Sequence, residues 1–243
     1  MRSDFIELIS QAFEGNVSNL DMSGLPIGAE NTELFETFIE SCPDLGLTLE
    51  TLALSSVNLG SRLEKFDEAA VLLPKLKHLT ITNRGGYYEK ERSYLESSEQ
   101  CSHLSSALAK FKQLASLDLN GIHPSEASAD ISYLLNLPLT LSRLNDVILD
   151  DGFEQAQSPV LINAIERLPD LTFLRLSPAS PTPDGMVAIA KALSKKEHFK
   201  QLLVNLDVQS AWDSQTIKDV MNEVRGIMHG AGKTVDFDGE KLL

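Results

Sequence analysis

Apolar residues fall into two alternating rhythms along this chain. The first is a short phrase with apolar side chains, mostly leucine, at its first, fourth and sixth places. It recurs eight times, as Val17-Leu20-Met22, Leu49-Leu52-Leu54, Leu76-Leu79-Ile81, Leu114-Leu117-Leu119, Leu144-Val147-Leu149, Leu171-Leu174-Leu176, Phe199-Leu202-Val204 and Gly232-Val235-Phe237. Alternation between the fourth and sixth places is the period-2 pattern of a strand with one buried face. The starts lie 32, 27, 38, 30, 27, 28 and 33 residues apart, a recurrence that marks a stacked-repeat architecture.

Downstream of the phrases the spacing changes to that of a helix. Leu34 and Phe38 are four apart, as are Leu104 and Leu108. Single stripes are formed by Ile131, Leu134 and Leu135, by Ile162, Ile165 and Leu168, by Val187, Ala190 and Leu193, and by Ile217, Val220, Met221 and Val224. Asn31, Ser125 and Asp213 are expected N-caps, and Pro159 and Pro183 suit a first helical turn. Pro43, Pro74, Pro138 and Pro169 are expected stops before the next phrase.

Each unit therefore reads as strand, turn, helix and tight return. Neither element buries its apolar face alone, whereas stacking the units gives a continuous core with a parallel sheet along one side. Helices are wider than strands, so the stack is expected to curve with the strands inside. The expected organisation is one domain over 1–243: a helical N-terminal cap in 1–16, with its helix near Ser3–Phe13, repeats over 17–231, and a cap strand in 232–243. Seven to eight parallel strands should result.

The phrases Leu49-Glu50-Thr51-Leu52-Ala53-Leu54, Leu114-Ala115-Ser116-Leu117-Asp118-Leu119 and Leu171-Thr172-Phe173-Leu174-Arg175-Leu176 resemble the leucine-rich-repeat superfamily. The helical spacers and the unit length place the resemblance in its α/β branch, which includes ribonuclease inhibitor and the Ran GTPase-activating protein. That resemblance covers residues 17–238 and implies a right-handed α/β solenoid with a curved inner sheet and outer helices. It departs from the family at the ninth place, where Leu25, Val57, Arg84, Ile122 and Ala179 stand instead of a polar turn cap.

Composition narrows the partners. The 35 acidic and 21 basic residues give a formal charge of −14, and an acidic surface repels a phosphate backbone, so neither nucleic acid nor anionic membrane is an expected partner. No run approaches the ~20 apolar residues of a membrane span. The acids near the start interrupt anything resembling a signal peptide. Two cysteines, Cys42 and Cys101, are too few for a secreted disulfide framework or a common zinc site. A cytoplasmic protein is expected, located in the host cytosol if it belongs with the short, acidic, degenerate repeat proteins that intracellular bacteria inject as effectors.

The polar places of each phrase should point away from the helices. They include Asp21, Thr51, His78, Asp118, Asp146, Asp150, Arg175, Asn205 and Asp236, a wet and electronegative face suited to a basic protein partner. Polarity needed merely for solubility is the alternative. Ile148, Phe173 and Leu203 stand at nearly matching offsets on the fifth, sixth and seventh phrases, and three such neighbours would form a contact patch. A slipped register would remove that alignment.

The longest unit carries an insertion, Asn83-Arg84-Gly85-Gly86-Tyr87-Tyr88-Glu89-Lys90-Glu91-Arg92-Ser93-Tyr94, with three of the chain's four tyrosines. Insertions in repeat proteins emerge as loops on one face, and tyrosine gives large contact area at low entropic cost. Tyr87, Tyr88 and Tyr94 are therefore binding candidates, unless the loop packs its own tyrosines on a neighbouring unit.

No catalytic set stands out. The five histidines are scattered over different units. Cys101 and His103 are two apart and face different ways on a helix. Gly230-Ala231-Gly232-Lys233-Thr234 lacks the first glycine of a phosphate loop and runs from helix to strand, the reverse of the required order. No cofactor or metal is expected. The expected function is a non-enzymatic protein–protein interaction module, monomeric, binding through the inner sheet and the tyrosine-rich loop at Tyr87, Tyr88, Tyr94, Asp118, Asp146, Ile148, Phe173, Arg175 and Leu203. The alternative is a regulator of a small GTPase, since the Ran-activating relatives present a loop arginine or asparagine and Arg84 stands in a loop after the third phrase.

Overall fold

The computed structural model describes residues 17–22, 32–55, 62–82, 94–95, 97–119, 123–124, 131–149, 154–179, 182–206 and 214–238. Eight strands form one open sheet: β1 (Asn19–Asp21), β2 (Thr51–Ser55), β3 (His78–Thr82), β5 (Ser116–Asp118), β7 (Arg143–Leu149), β8 (Phe173–Ala179), β9 (Gln201–Leu206) and β10 (Thr234–Asp238). Their spatial order follows the chain and every neighbouring pair is parallel. Two short strands, β4 (Tyr94–Leu95) and β6 (His123–Pro124), pair in parallel beside it.

Parallel neighbours need a crossover, and here helices supply most of them. These are α1 (Thr32–Leu45), α2 (Leu63–Ala70), α3 (Ser98–Lys110), α4 (Glu154–Arg167), α5 (Pro183–Ser194) and α6 (Ser214–Gly230). Each helix packs on its successor, except that a 3-10 helix, Ser132–Asn136, stands between α3 and α4. The result is a repeat-like α/β fold whose sequential order is compatible with a solenoid. No helix among the described residues is long and apolar enough to cross a membrane.

Several local expectations change. Ile131, Leu134 and Leu135 lie on a 3-10 turn and not an α-helix, because Pro138 follows closely and holds Leu137 extended at φ −57° and ψ 139°. Pro43 lies inside α1, which runs on to Leu45, and Pro159 lies in the interior of α4 rather than its first turn. Pro183 does open α5, after Thr182, whose hydroxyl accepts the Gly185 N–H at 3.2 Å. Asn31, Ser125 and Asp213 lie outside the described residues, as does the 1–16 cap.

One hydrogen-bond pattern recurs where the strands begin. A single carbonyl in each unit accepts two successive N–H groups from the next: Ser18 from Glu50 and Thr51, Glu50 from Lys77 and His78, Lys77 from Ala115 and Ser116. Ala115 then accepts from Ser142 and Arg143, Ser142 from Thr172 and Phe173, and Thr172 from Lys200 and Gln201. Side-chain hydroxyls reinforce it, with Thr172 Oγ1 donating to the Ser142 carbonyl at 2.9 Å and Thr234 Oγ1 to that of Lys200 at 3.1 Å.

This ladder and the strand register reveal one slipped phrase. Leu117, at a fourth place, stands beside Leu144, and Leu144 beside Leu174, itself at a fourth place. The fifth phrase is therefore Leu141-Leu144-Val147, three residues earlier than Leu144-Val147-Leu149. All three residues of the true phrase are fully buried. Between Leu144 and Val147 the register shifts, so that Asn145 and Asp146 together oppose the single Arg175, the two-against-one arrangement of a β-bulge.

The core is one continuous cluster between the helices and one face of the sheet, built from leucines such as Leu52, Leu79, Leu117, Leu144, Leu174 and Leu202. The returns from helix to strand are tight. At Gly46 a Cβ would meet the Leu72 carbonyl oxygen at 1.6 Å, so only glycine fits there. After α6, Gly232 adopts φ +71° while its N–H bonds the His229 carbonyl and that of Lys233 bonds Met228, a Schellman stop. The glycines of Gly230-Ala231-Gly232-Lys233-Thr234 thus end a helix. Lys233 Nζ turns back to the carbonyls of Lys196 (2.6 Å) and Phe199 (3.2 Å), just beyond the C-terminal end of α5.

Candidate functional site

Side chains alternate across a strand, so burying one set against the helices commits the other set to the opposite face. No described element covers that second face. Register aligns its residues in rows across the sheet. One row runs Thr51, His78, Ser116, Arg143, Phe173, Gln201 and Thr234. The next, two residues further along the strands, passes through Ala53, Thr80 and Asp118 to Asn145, and through Arg175 and Leu203 to Asp236.

The centre of the first row has the most distinctive geometry. Arg143 is exposed, and its guanidinium carbon lies 4.4 Å from the centroid of the half-buried Phe173 ring. A guanidinium stacked on an aromatic face keeps its edge donors directed outwards. One strand further on, Gln201 Nε2 donates to Asp236 Oδ2 at 2.8 Å, tying β9 to the last strand. The centre of this face therefore carries Arg143 and Arg175 between Asp118 on one side and Asp236 on the other. Arg143 is the cation that the wet, electronegative face expected from the polar places did not include; Arg175 was among those places.

The candidate residues distribute unevenly over this geometry. Asp118, Phe173, Arg175 and Leu203 all lie on the open face and are half-buried. Phe173 and Leu203 are not opposite each other: Phe173 aligns with Arg143 and Gln201, and Leu203 with Arg175 and Asp236. Ile148 does not join them. It stands beyond the Val147–Leu176 pair, more than two residues past the level of Phe173, because the fifth phrase begins at Leu141 and its bulge advances the strand. The expected row of Ile148, Phe173 and Leu203 is thus replaced by Arg143, Phe173 and Gln201. Asp146 sits in the bulge opposite Arg175.

Arg143 is the residue that the phrase pattern missed. Its signal was Leu141, which offers a second phase for the phrase three residues upstream. Tyr94 lies in β4, paired in register with His123. Tyr87, Tyr88 and Arg84 lie outside the described residues.

The helical side carries less. Cys101 is buried, while His103 is half-buried with Nδ1 3.8 Å from Asp67 Oδ2; Lys110 Nζ holds the other oxygen of that carboxylate at 2.7 Å and the Asp67 carbonyl at 2.7 Å. This group ties α2 to α3. Cys42 donates its thiol to the Phe38 carbonyl at 3.3 Å, and burial pushes its pKa up to about 12, which keeps it a protonated packing residue. Among the described residues no group of three His, Cys, Asp or Glu side chains could hold a metal ion. No protein-family model matches the chain, and no curated protein is significantly similar to it.

Proposed function

We propose that this chain is a non-enzymatic protein-binding module of the leucine-rich-repeat type, and that its partner docks on the open sheet face. The repeat assignment is supported by one apolar phrase per strand and by the shared-carbonyl ladder. The observation that carries the functional reading is the uncovered centre of that face. There an exposed Arg143 stacks on Phe173, with Leu203 two strands away. Repeat arrays offer extended surfaces of this kind to partners, and aromatic and arginine anchors dominate binding energy. The setting proposed with it is a cytosol, that of a host if the protein is an injected effector.

A site-specific photo-crosslinker tests the reading. Placed at position 205 on the open face, it should link the physiological partner, whereas the same group at 195, beyond α5 on the helical side, should not. Phe173→Ala should weaken that partner by about 1–3 kcal/mol while leaving the unfolding midpoint nearly unchanged. Crosslinking from position 195 alone, or full-strength binding by a Phe173→Ala, Leu203→Ala double variant, would refute it.

A further inference from the structure

We propose that the segment received by the open face is an α-helix lying across the strands, which delivers a carboxylate to Arg143 and a basic residue to Asp236. The proposal rests on the open face being the contact surface and adds the shape and charge order of the occupant.

Three observations carry it. The first is charge order. Crossing the face from β5 to β10, a partner meets Asp118, then the Arg143–Phe173 stack with Arg175 two residues further along β8, then Leu203, then Asp236. In a chain of net charge −14, an exposed arginine at the middle of this face is the feature that selects an anion. Stacking on Phe173 holds the guanidinium plane, so its edge is preset for the two-point geometry of a carboxylate.

The second observation is spacing. Strands lie about 4.8 Å apart, and a helix rises about 1.5 Å per residue, so successive strands fall opposite helix positions three to four residues apart. Those positions share one helix face. A helix crossing the strands between the two rows therefore presents basic, acidic, apolar, apolar and basic residues on one stripe, with Arg143 and Phe173 on one side of its axis and Asp118, Leu203 and Asp236, about 6.6 Å further along the strands, on the other. A strand laid the same way would point only alternate residues at the sheet, about 6.6 Å apart, and would fall out of step with the strands.

The third is that the face offers side chains and no free ladder to a crossing segment. Between β1 and β10 every strand is paired on both sides, so main-chain pairing is confined to the two edges. A partner on the centre of the face must be recognised by its side chains, which suits an element whose own backbone is satisfied.

The probe is a fluorescein-labelled alanine-rich peptide with lysine at its first and sixteenth residues, glutamate at its fifth, and leucine at its ninth and twelfth. Titrated with the whole chain, it should bind at least about tenfold more tightly than a peptide of the same composition whose glutamate is moved to the opposite helix face. Arg143→Glu should abolish this preference, and a peptide with lysine in place of the glutamate should bind Arg143→Glu and not the wild type. That restoration also shows that the variant is folded. Equal binding of the first two peptides, or failure of the charge exchange, overturns the proposal. Amide shifts separate its failure from that of the face itself. If a proline-broken, extended version of the peptide perturbs β7–β9 more than the helical one, the helix is wrong and the face stands. If no peptide perturbs those strands and crosslinking from position 205 also fails, both fall.

Discussion

The strands of the main sheet are held differently at their two ends. Where they begin, one carbonyl per unit serves two N–H groups of the next, from Ser18 through Thr172, with no interruption between β1 and β9. Past that entrance the register shifts in the middle of β7, between Leu144 and Val147, and again towards the ends of β7 and β8, between Val147 and Leu149 and between Leu176 and Ala179. Strand length varies accordingly, from three residues in β5 to seven in β7 and β8. The beginning of each strand sets its phase against the core, and in β7 and β8 the stretch beyond it absorbs differences between units. An array built this way can change loops and surface residues at the exit without disturbing the stacking at the entrance, and in scaffolds of this kind function concentrates on such loops.

The largest test of this contrast is a one-residue insertion at the start of β7 and another at its bulge. A glycine between Ser142 and Arg143 turns Leu144 away from the core and drives Arg143 towards it. The cost should exceed about 5 kcal/mol, comparable with the stability of a whole domain, and cooperative unfolding in urea should be lost. The same glycine between Asp146 and Val147 enters a bulge that already resets the register, and should cost about 2 kcal/mol or less. Equal losses at the two positions would erase the distinction.

A smaller effect is expected from Lys233→Met. The substitution keeps the apolar stem but removes the ammonium from the Lys196 and Phe199 carbonyls, at a site where Lys233 is only 7% exposed. A loss of about 1.5–3 kcal/mol is expected by denaturant unfolding, since a charged donor is removed from buried acceptors. An unchanged midpoint would show that these carbonyls are satisfied without it.

The smallest concerns Glu50 and Lys77, which pair across the strand entrances at 2.7 Å on an exposed edge. The hydrogen bond and charge of Lys77 hold the Glu50 carboxyl below its ordinary pKa. A carboxylate lowered in the folded state contributes stability above its unfolded pKa and loses it as pH falls through the folded one. Glu50→Gln should therefore show a slight deficit in thermal midpoint at neutral pH that vanishes in acid and shrinks with added salt. A deficit that grew in acid would contradict this pairing.

The parallel sheet, its chain order and seven of the eight phrases were legible because leucines at fixed places must reach one core. The fifth phrase was not. Leu141, Leu144, Val147 and Leu149 satisfy two overlapping phases, and the later one fits the first, fourth and sixth places without a gap. The true phase needs a bulge at Asn145 and Asp146, and a bulge is decided by the neighbouring strands, here through the Ser142 and Ala115 carbonyls and Arg175. That single ambiguity hid Arg143 and put Ile148 in its place. Phe173 and Leu203 were found because their own phrases are unambiguous. Pro43 and Pro159 each forgo the N–H that would meet the carbonyl four residues back, yet their helices run on past them, so a proline in the sequence is not by itself a stop. The short 3-10 connection follows instead from Pro138 standing too close for another turn.

The row containing Asp118 begins at Asp21 on one edge strand and ends at Asp236 on the other. If a second copy tried to continue the sheet by setting its β1 beside β10, the in-register partner of Asp236 would be Asp21. Two carboxylates would then stand directly opposite on neighbouring strands, an arrangement that destabilises pairing. Asp238, exposed beside them on the same edge, adds to the repulsion. Open parallel edges invite endless head-to-tail growth into fibres. Here the charges at the two ends of one row oppose it.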